Sequence, residues 1–500
     1  MSSSRSNAAP SRSNAALVCI LLVALSAATA ILLITEAGPS IASTKQLSVL
    51  EDSGRVLSPI PAIREESLDE IKSLDADVVK IPVSWRSIAP NPTGRVKPSD
   101  DLTDPSSYPA VNWMTVDAAV LGAEIRGLKV WMMITAPAPR WAVASEPARG
   151  PGSLNPDPDD YAEFVEAVAK RYKSVKIWSI WNEPNLSLFL QPQFKKGVAV
   201  SAIHYRKMYR AAYAALIGNG HRRDTILFGE LLPRAPLPRR ANGTIPPVMW
   251  LREFFCLDDE LLPYTGAEAR AHGCNGFKPL KTSGFAYHPY TTPQGPRFDD
   301  PMPLNATINH LGRIYGVLDA ASRQRRLSGS KLKIYSSEFG FQSNPPDRKT
   351  VPIRKIPEFL NFSELLSYND RRMATYSQYQ LVDDKLTTGF QSGLRFYSGR
   401  KKTDVYAAYQ LPLVVIRRTT GTVTVWGKLR SSDASIQEIE IQVRAGSKFE
   451  TVETVESTSS RGYFKLVLST PGAGAKTYRL KAGKLISRSA KPVENPTYAP

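Results

Sequence analysis

Short apolar runs rich in β-branched and aromatic residues recur along this chain, most of them separated by stretches with helical periodicity. The runs cover residues 46–50, 78–83, 130–134, 175–181, 225–229, 284–287, 332–336 and 388–397. Between them, residues 161–172 (YAEFVEAVAKRY) place Tyr161, Phe164, Val165, Val168 and Tyr172 on one helical face; 204–217 and 308–327 repeat that pattern. Strands that alternate with helices pair in parallel, because each helix carries the chain back to the end where the next strand starts. Eight such units predict an α/β fold, a (β/α)8 TIM barrel over 46–414. Its surplus length falls in loops at the strands' C-terminal ends, where such barrels keep their sites. A doubly wound open sheet is the competing arrangement. No glycine-rich phosphate loop stands between a run and its helix to support it.

The pattern changes after residue 415. Runs at 422–426, 436–443, 448–455, 463–468 and 477–481 alternate apolar and polar residues with no helical stretch between them. They predict a small all-β sandwich over 415–486, followed by a flexible tail, 487–500. At the other end, residues 15–34 (AALVCILLVALSAATAILLI) form a 20-residue run without charge. That length spans about 30 Å of hydrocarbon as a helix. Arg5 and Arg12 precede it within the short n-region 1–14, and Glu36 follows, so the start stays inside and the rest goes out. The run reads as a single-pass signal-anchor or as a cleaved signal peptide, with small residues at 27–30 and 37–42 as cleavage points. The body is then expected on the outer side of the cell membrane or secreted. One such run excludes a multi-span transporter.

An exported body permits disulfides. Cys19 lies inside the apolar run, leaving Cys256 and Cys274, 18 residues apart around a Gly- and Asp-containing loop. A bridge there is worth about 3 kcal/mol in the loop-entropy picture. The alternative is two free, partly buried thiols. The net charge of +18 is spread along the chain without a basic tail, and no nucleic-acid motif accompanies it. The five histidines (His204, His221, His272, His288 and His310) show no ligand spacing such as H-E-x-x-H, so neither metal nor cofactor is expected.

The chemistry sits at strand ends. In KIWSIWNEPN (176–185) an apolar run stops at Trp181, and Asn182 and Glu183 emerge together before Pro184, which cannot continue a ladder. In LKIYSSEFGF (332–341) a second run leads into Glu338. Two glutamates on different strands of one barrel can converge, and glycoside hydrolysis needs such a carboxyl pair. Glu230, at the end of the fifth run, is a third carboxylate in a comparable position.

With WNEPN at a fourth strand and SEFG at a seventh, the chain resembles the retaining (β/α)8 glycosidases of glycoside hydrolase clan A, near families 39 and 5. The likeness runs over roughly 46–415 and more weakly over the C-terminal domain. It implies that Glu183 is the acid/base, Glu338 the nucleophile, and Asn182 a partner of the sugar 2-hydroxyl. FAYHPY (285–290) is similar to the clan's sixth-strand His-x-Tyr, giving His288 and Tyr290 as substrate-binding residues; a two-residue spacing puts both on one strand face. Where the clan often carries a second-strand arginine, VVKIPVSW (78–85) offers Lys80, which cannot make the same bidentate fork; Arg86 is the alternative. FQSGLRFY (390–397) holds Phe390, Phe396 and Tyr397 but no tryptophan. Trp85 and Trp141, each following an apolar run, are the better candidates for a ring that stacks on a sugar face. The resemblance implies an exported retaining β-glycosidase acting on an oligo- or polysaccharide. The competing class is a non-catalytic carbohydrate-binding or cell-surface protein on the same scaffold.

Overall fold

Eight parallel strands close on themselves: β1 (Leu47–Glu51), β2 (Val78–Ser84), β3 (Lys129–Thr135), β4 (Ile177–Ile180), β5 (Thr225–Leu231), β6 (Gly284–Tyr287), β7 (Ile334–Ser336) and β8 (Met373–Tyr379). Each pairs with its neighbours in chain order and β8 pairs with β1, so the sheet is a closed barrel, not a doubly wound open sheet. The structure, a computed structural model, describes residues 43, 45–146, 150–236, 243–386, 389–433, 436, 438–456 and 460–495. The apolar run 15–34 therefore lies outside the described residues. Among those described, no helix is long and apolar enough to cross a membrane.

Alternation along the strands sets the barrel's contents. Residues facing out, such as Val79, Ile81, Ile134 and Ile180, join the large core under the surrounding helices. The helix Pro158–Arg171 shows why those helices form. Asp157 accepts the first free N–H groups, Lys170 and Arg171 sit in the last turn, and Tyr161, Phe164, Val165 and Val168 are buried. Facing in, Val49, Val78, Trp131, Ile177, Leu227 and Ala286 plug the barrel as one apolar layer. Two residues further along come Glu51 on β1, Lys80 on β2, Ser179 on β4 and His288 just past β6. A period of two keeps these on the same face. A polar ring therefore lies directly above the apolar plug.

The eighth strand is not the run at 388–397. It is MATYSQY, and residues 389–397 form a loop folded back on it. The strand escapes an apolar-run reading because it is rich in buried polar residues: Thr375 Oγ1 donates to Ser336 O (2.8 Å), and Ser377 Oγ bonds Ser336 Oγ (2.9 Å). Gly393 in the loop lies so close to the backbone of Val382 and Asp383 that an added Cβ would sit 2.4 Å from Asp383 N.

Beyond the barrel lie two antiparallel sheets. One orders Leu413–Arg417, Thr422–Lys428 and Tyr463–Ser469; the other orders Lys448–Glu456, Glu438–Ala445, Tyr478–Ala482 and Leu485–Ile486. Val415, Val423, Val425 and Leu468 from the first meet Ile439, Ile441 and Leu480 from the second in one apolar core. The tail expected from 487 is seated along these sheets as far as Val493: Ala490 pairs with Tyr478 and Val493 with Ile416.

Candidate active site

Two unusual turns aim carboxylates into the barrel mouth. After β4, Trp181 and Glu183 both adopt left-handed backbone angles (φ 66° and 37°). On β5 the ladder shifts between Gly229 and Leu231, with Gly229 at φ 117° and Glu230 at 53°. This is a β-bulge, a device that re-aims a side chain. Gly229 is required there, because a Cβ would lie 2.4 Å from both Ala286 O and the Phe285 ring. Such backbone conformations cost on the order of 1–3 kcal/mol each for residues with side chains. The turns support each other: Glu183 N–H donates to Glu230 O (2.9 Å), and Trp181 N–H to Ile134 O (2.8 Å).

The side chains converge on two nitrogen groups, the Lys80 ammonium and the His288 imidazole. Lys80 Nζ lies 3.0 Å from Glu51 Oε2, 3.2 Å from Glu230 Oε2 and 3.4 Å from Glu338 Oε1. His288 Nδ1 is 2.9 Å from Glu183 Oε1 and 3.5 Å from Glu338 Oε2, while its Nε2 is 2.8 Å from Glu230 Oε2. Ser179 Oγ donates to Glu230 Oε1 (2.5 Å) and accepts from Trp131 Nε1 (2.9 Å). Tyr290 OH donates to Glu338 Oε2 (3.2 Å). Lys80, Glu230 and His288 are fully buried; Glu183 and Glu338 keep 17% and 14% of their side-chain surface open. These two carboxylates alone of the four have appreciable access from outside.

Burial and charge separate the carboxyl groups. Burial pushes Glu51 up to about 8, against the pull of Lys80. Burial likewise raises Glu183, against the opposing hydrogen bond from His288. For Glu230 burial is overcome by Lys80 and His288, which hold it down to about 2. Burial disfavours the imidazolium of His288, but the surrounding carboxylates Glu338, Glu183 and Glu230 push it up to about 10. Lys80 is raised by its three carboxylates despite its burial. The site thus holds one carboxyl biased towards its acid form at the opening and a fixed anion behind it.

Glu183, His288 and Glu338 each offer a donor atom within 4.8 Å of the others, the spacing of a cation site. Within the protein, Lys80 Nζ already faces Glu338 and His288 Nδ1 faces both Glu183 and Glu338.

The expected site residues fare unequally. Asn182 is buried beside Glu183, and its Oδ1 has no hydrogen-bond partner. His288 and Tyr290 lie just past the end of β6, not on it, yet both reach the carboxylates. Arg86 is paired with Glu146 (2.6 Å), so Lys80 takes the second-strand position against Glu338. Trp85 is fully buried, edge-on to Trp141 at 5.8 Å and stacked on Phe164 at 5.9 Å. It offers no face to a ligand in this structure. Trp141 is 8% exposed, with Nε1 bonded to Pro90 O. Phe390 is half exposed, and with Tyr290, Thr292, Phe341, Gln342 and Ser392 it lines a cavity of about 220 Å³. Cys256 and Cys274 form a disulfide. Arg206 on the helix Val200–Gly218 donates to Gly273 O inside the bridged loop and to Glu253 O and Phe254 O just before it (each 3.0 Å), and none of these contacts involves the carboxylate cluster. Glu51 and Ser179 are members of the site that sequence reasoning missed. Their signal was positional, two residues beyond an inward apolar residue.

No family model matches the chain, and no curated protein matches it. Among solved structures it is similar to Fpglu1 of Fervidobacterium pennivoraus, at 13% identity over 74% of this chain and 95% of that one, with a TM-score of 0.46. The psychrophilic β-glucosidase BglU of Micrococcus antarcticus aligns at 12% identity over 73% and 96% of the two chains, with a TM-score of 0.43. A glycoside hydrolase family 5 protein of Bacteroides vulgatus aligns at 9% identity over 85% and 89%, with a TM-score of 0.42.

Proposed function

We propose that this protein is a retaining β-glycoside hydrolase acting outside the cell. Glu338 is its nucleophile and Glu183 its acid/base. The observation that carries this reading is a distance: carboxylate oxygens of Glu183 and Glu338 come within 4.8 Å of one another at the open end of the barrel. Retaining enzymes keep the two carboxyls about 5–5.5 Å apart, whereas inverting enzymes leave about 6.5–9.5 Å for a water.

The surroundings suit the two roles. Lys80 and Tyr290 each place a donor on Glu338, fixing it for attack on the anomeric carbon. Glu183, biased by burial towards its acid form, protonates the departing oxygen. In the second step Glu183 takes a proton from water, and that water displaces Glu338 from the sugar. Asn182 Oδ1, buried beside the acid and without a partner, is placed to accept from a sugar hydroxyl. The cavity beside Tyr290, edged by the exposed Phe390 ring, gives a sugar further space.

The test is to incubate the purified protein with β-linked aryl glycosides and polysaccharides and to follow the first-formed anomer by NMR. Retention with the wild type and loss of turnover in Glu338→Gln are expected. An inverted first product, or wild-type activity in Glu338→Gln, would refute the assignment.

A further inference from the structure

A two-carboxylate hydrolysis has no use for Glu230, yet the fold goes to unusual lengths to place it. The bulge at Gly229–Glu230 turns it inward. Ser179, itself anchored by Trp131 Nε1–H, occupies one of its oxygens; Lys80 and His288 Nε2 occupy the other. Its backbone carbonyl receives the N–H of Glu183.

Consider what this does to His288. Facing an anion at 2.8 Å, Nε2 must carry a hydrogen. The other nitrogen, Nδ1, faces Glu183 Oε1 at 2.9 Å. That hydrogen bond needs one proton, held either by Glu183 or by Nδ1. We propose that Glu230 is a positioning residue: by pinning Nε2–H of His288 it makes Nδ1 and Glu183 share a single proton, the one delivered to the leaving group. This rests on the assignment of Glu183 as acid/base.

The neighbouring charges come from every side of the pair. Glu51 on β1, Lys80 on β2, Tyr290 after β6, Glu338 after β7 and Tyr379 on β8 all interact with this cluster, while β3 contributes the neutral Trp131. None of them is itself substituted in Glu230→Gln, although Lys80 loses one of its three carboxylate partners. That substitution keeps the shape and removes the anion bonded to Nε2 of the same ring, so the shared proton leaves more readily. The alkaline limb of kcat/KM for poor leaving groups should move down by about one pH unit or more. Dinitrophenyl glycosides need no acid in the first step, so their single-turnover glycosylation rate should show no matching shift of its alkaline limb. Glu230→Asp, which keeps the charge, should restore much of the limb. Ser179→Ala, which strips a donor from Glu230, should move it up.

Nitrogen-15 NMR of the imidazole, assigned with His288→Gln, reads the same event without substrate. The wild type should show Nε2–H at all pH values, and His288 should release its second proton at lower pH in Glu230→Gln. An unmoved limb together with unchanged His288 titration in folded Glu230→Gln would overturn the proposal. Should Glu230→Gln fail to fold, an unmoved limb and unchanged His288 titration in Ser179→Ala would do the same. Should the wild type cleave no glycoside, the functional assignment falls, and with it the delivery of this proton to a leaving group. The imidazole titrations would then show only whether Glu230 fixes His288.

Discussion

Lys80 meets Glu338 with a single ammonium, 3.4 Å from Oε1, and shares that ammonium with Glu51 and Glu230. One fully buried cation thus ties together carboxylates from β1, β5 and the end of β7. Removing it leaves buried charge uncompensated, which costs about 3–5 kcal/mol for a single pair. Lys80→Met is expected to lose at least that much stability in urea titration and to lower turnover more than a hundredfold. A Lys80→Met protein as stable as the wild type would mean that the three carboxyls are neutralised in some other way.

Glu183→Ala separates the two chemical steps. With a good leaving group the first step proceeds without the acid, and the glycosyl-enzyme then accumulates because no base activates water. Azide needs no base. Its addition should restore turnover and release a β-glycosyl azide, identifiable by NMR. An α-azide, or no azide product beside restored hydrolysis, would show that Glu183 is not the acid/base.

The carboxyl pair was legible because each glutamate directly follows an apolar run, and the barrel because seven of the eight strands are such runs. What sequence hid was polarity inside the barrel. β8 carries the buried polar residues Thr375, Ser377 and Gln378, so it lacks the apolar pattern of a strand that the loop after it shows. Glu51 ends LSVLE like a residue entering solvent, and only closure of β1 against β8 and β2 buries it. Trp85 looked like a sugar platform because it follows a strand. It is covered because the helix Pro158–Arg171 lays Tyr161 and Phe164 against it.

Asn182 Oδ1 is buried without a partner. A buried acceptor left unpaired costs about 1–3 kcal/mol, so a ligand hydroxyl that fills it gains correspondingly. Asn182→Ala is expected to lower kcat/KM by about 10- to 100-fold for substrates carrying a 2-hydroxyl. It should change little for 2-deoxy substrates. Equal losses for both would place the amide's role elsewhere.

The Cys256–Cys274 bridge joins cysteines 18 positions apart. Its removal in Cys256→Ser/Cys274→Ser should cost about 3 kcal/mol, seen as a lower unfolding midpoint. Arg206 ties the loop to the helix Val200–Gly218 at Gly273 and bonds none of the four carboxylates, so kcat at 25 °C should stay within about twofold. A tenfold loss of kcat in the folded double variant would count against a purely supporting role.

Lys428 links the C-terminal sheets to the barrel from a fully buried position. Its Nζ donates to Ser48 Oγ (2.6 Å) and lies 4.3 Å from the centre of the Tyr463 ring. Burial, reinforced by Arg430, holds it down to about 7, although Glu364, Asp77 and Asp75 pull the other way. The folded value lies below the ordinary 10.5. Between pH 7 and 10.5 the unfolded chain therefore binds more protons than the folded one, and stability from this group rises with pH. The slope is at most about 1.4 kcal/mol per pH unit. Lys428→Met removes the titration. The stability of the wild type relative to Lys428→Met should then climb steadily between pH 7.5 and 9.5 in urea titrations, with the variant at its relative best near pH 7. A difference that stays flat across this range would show that Lys428 keeps its proton in the folded protein.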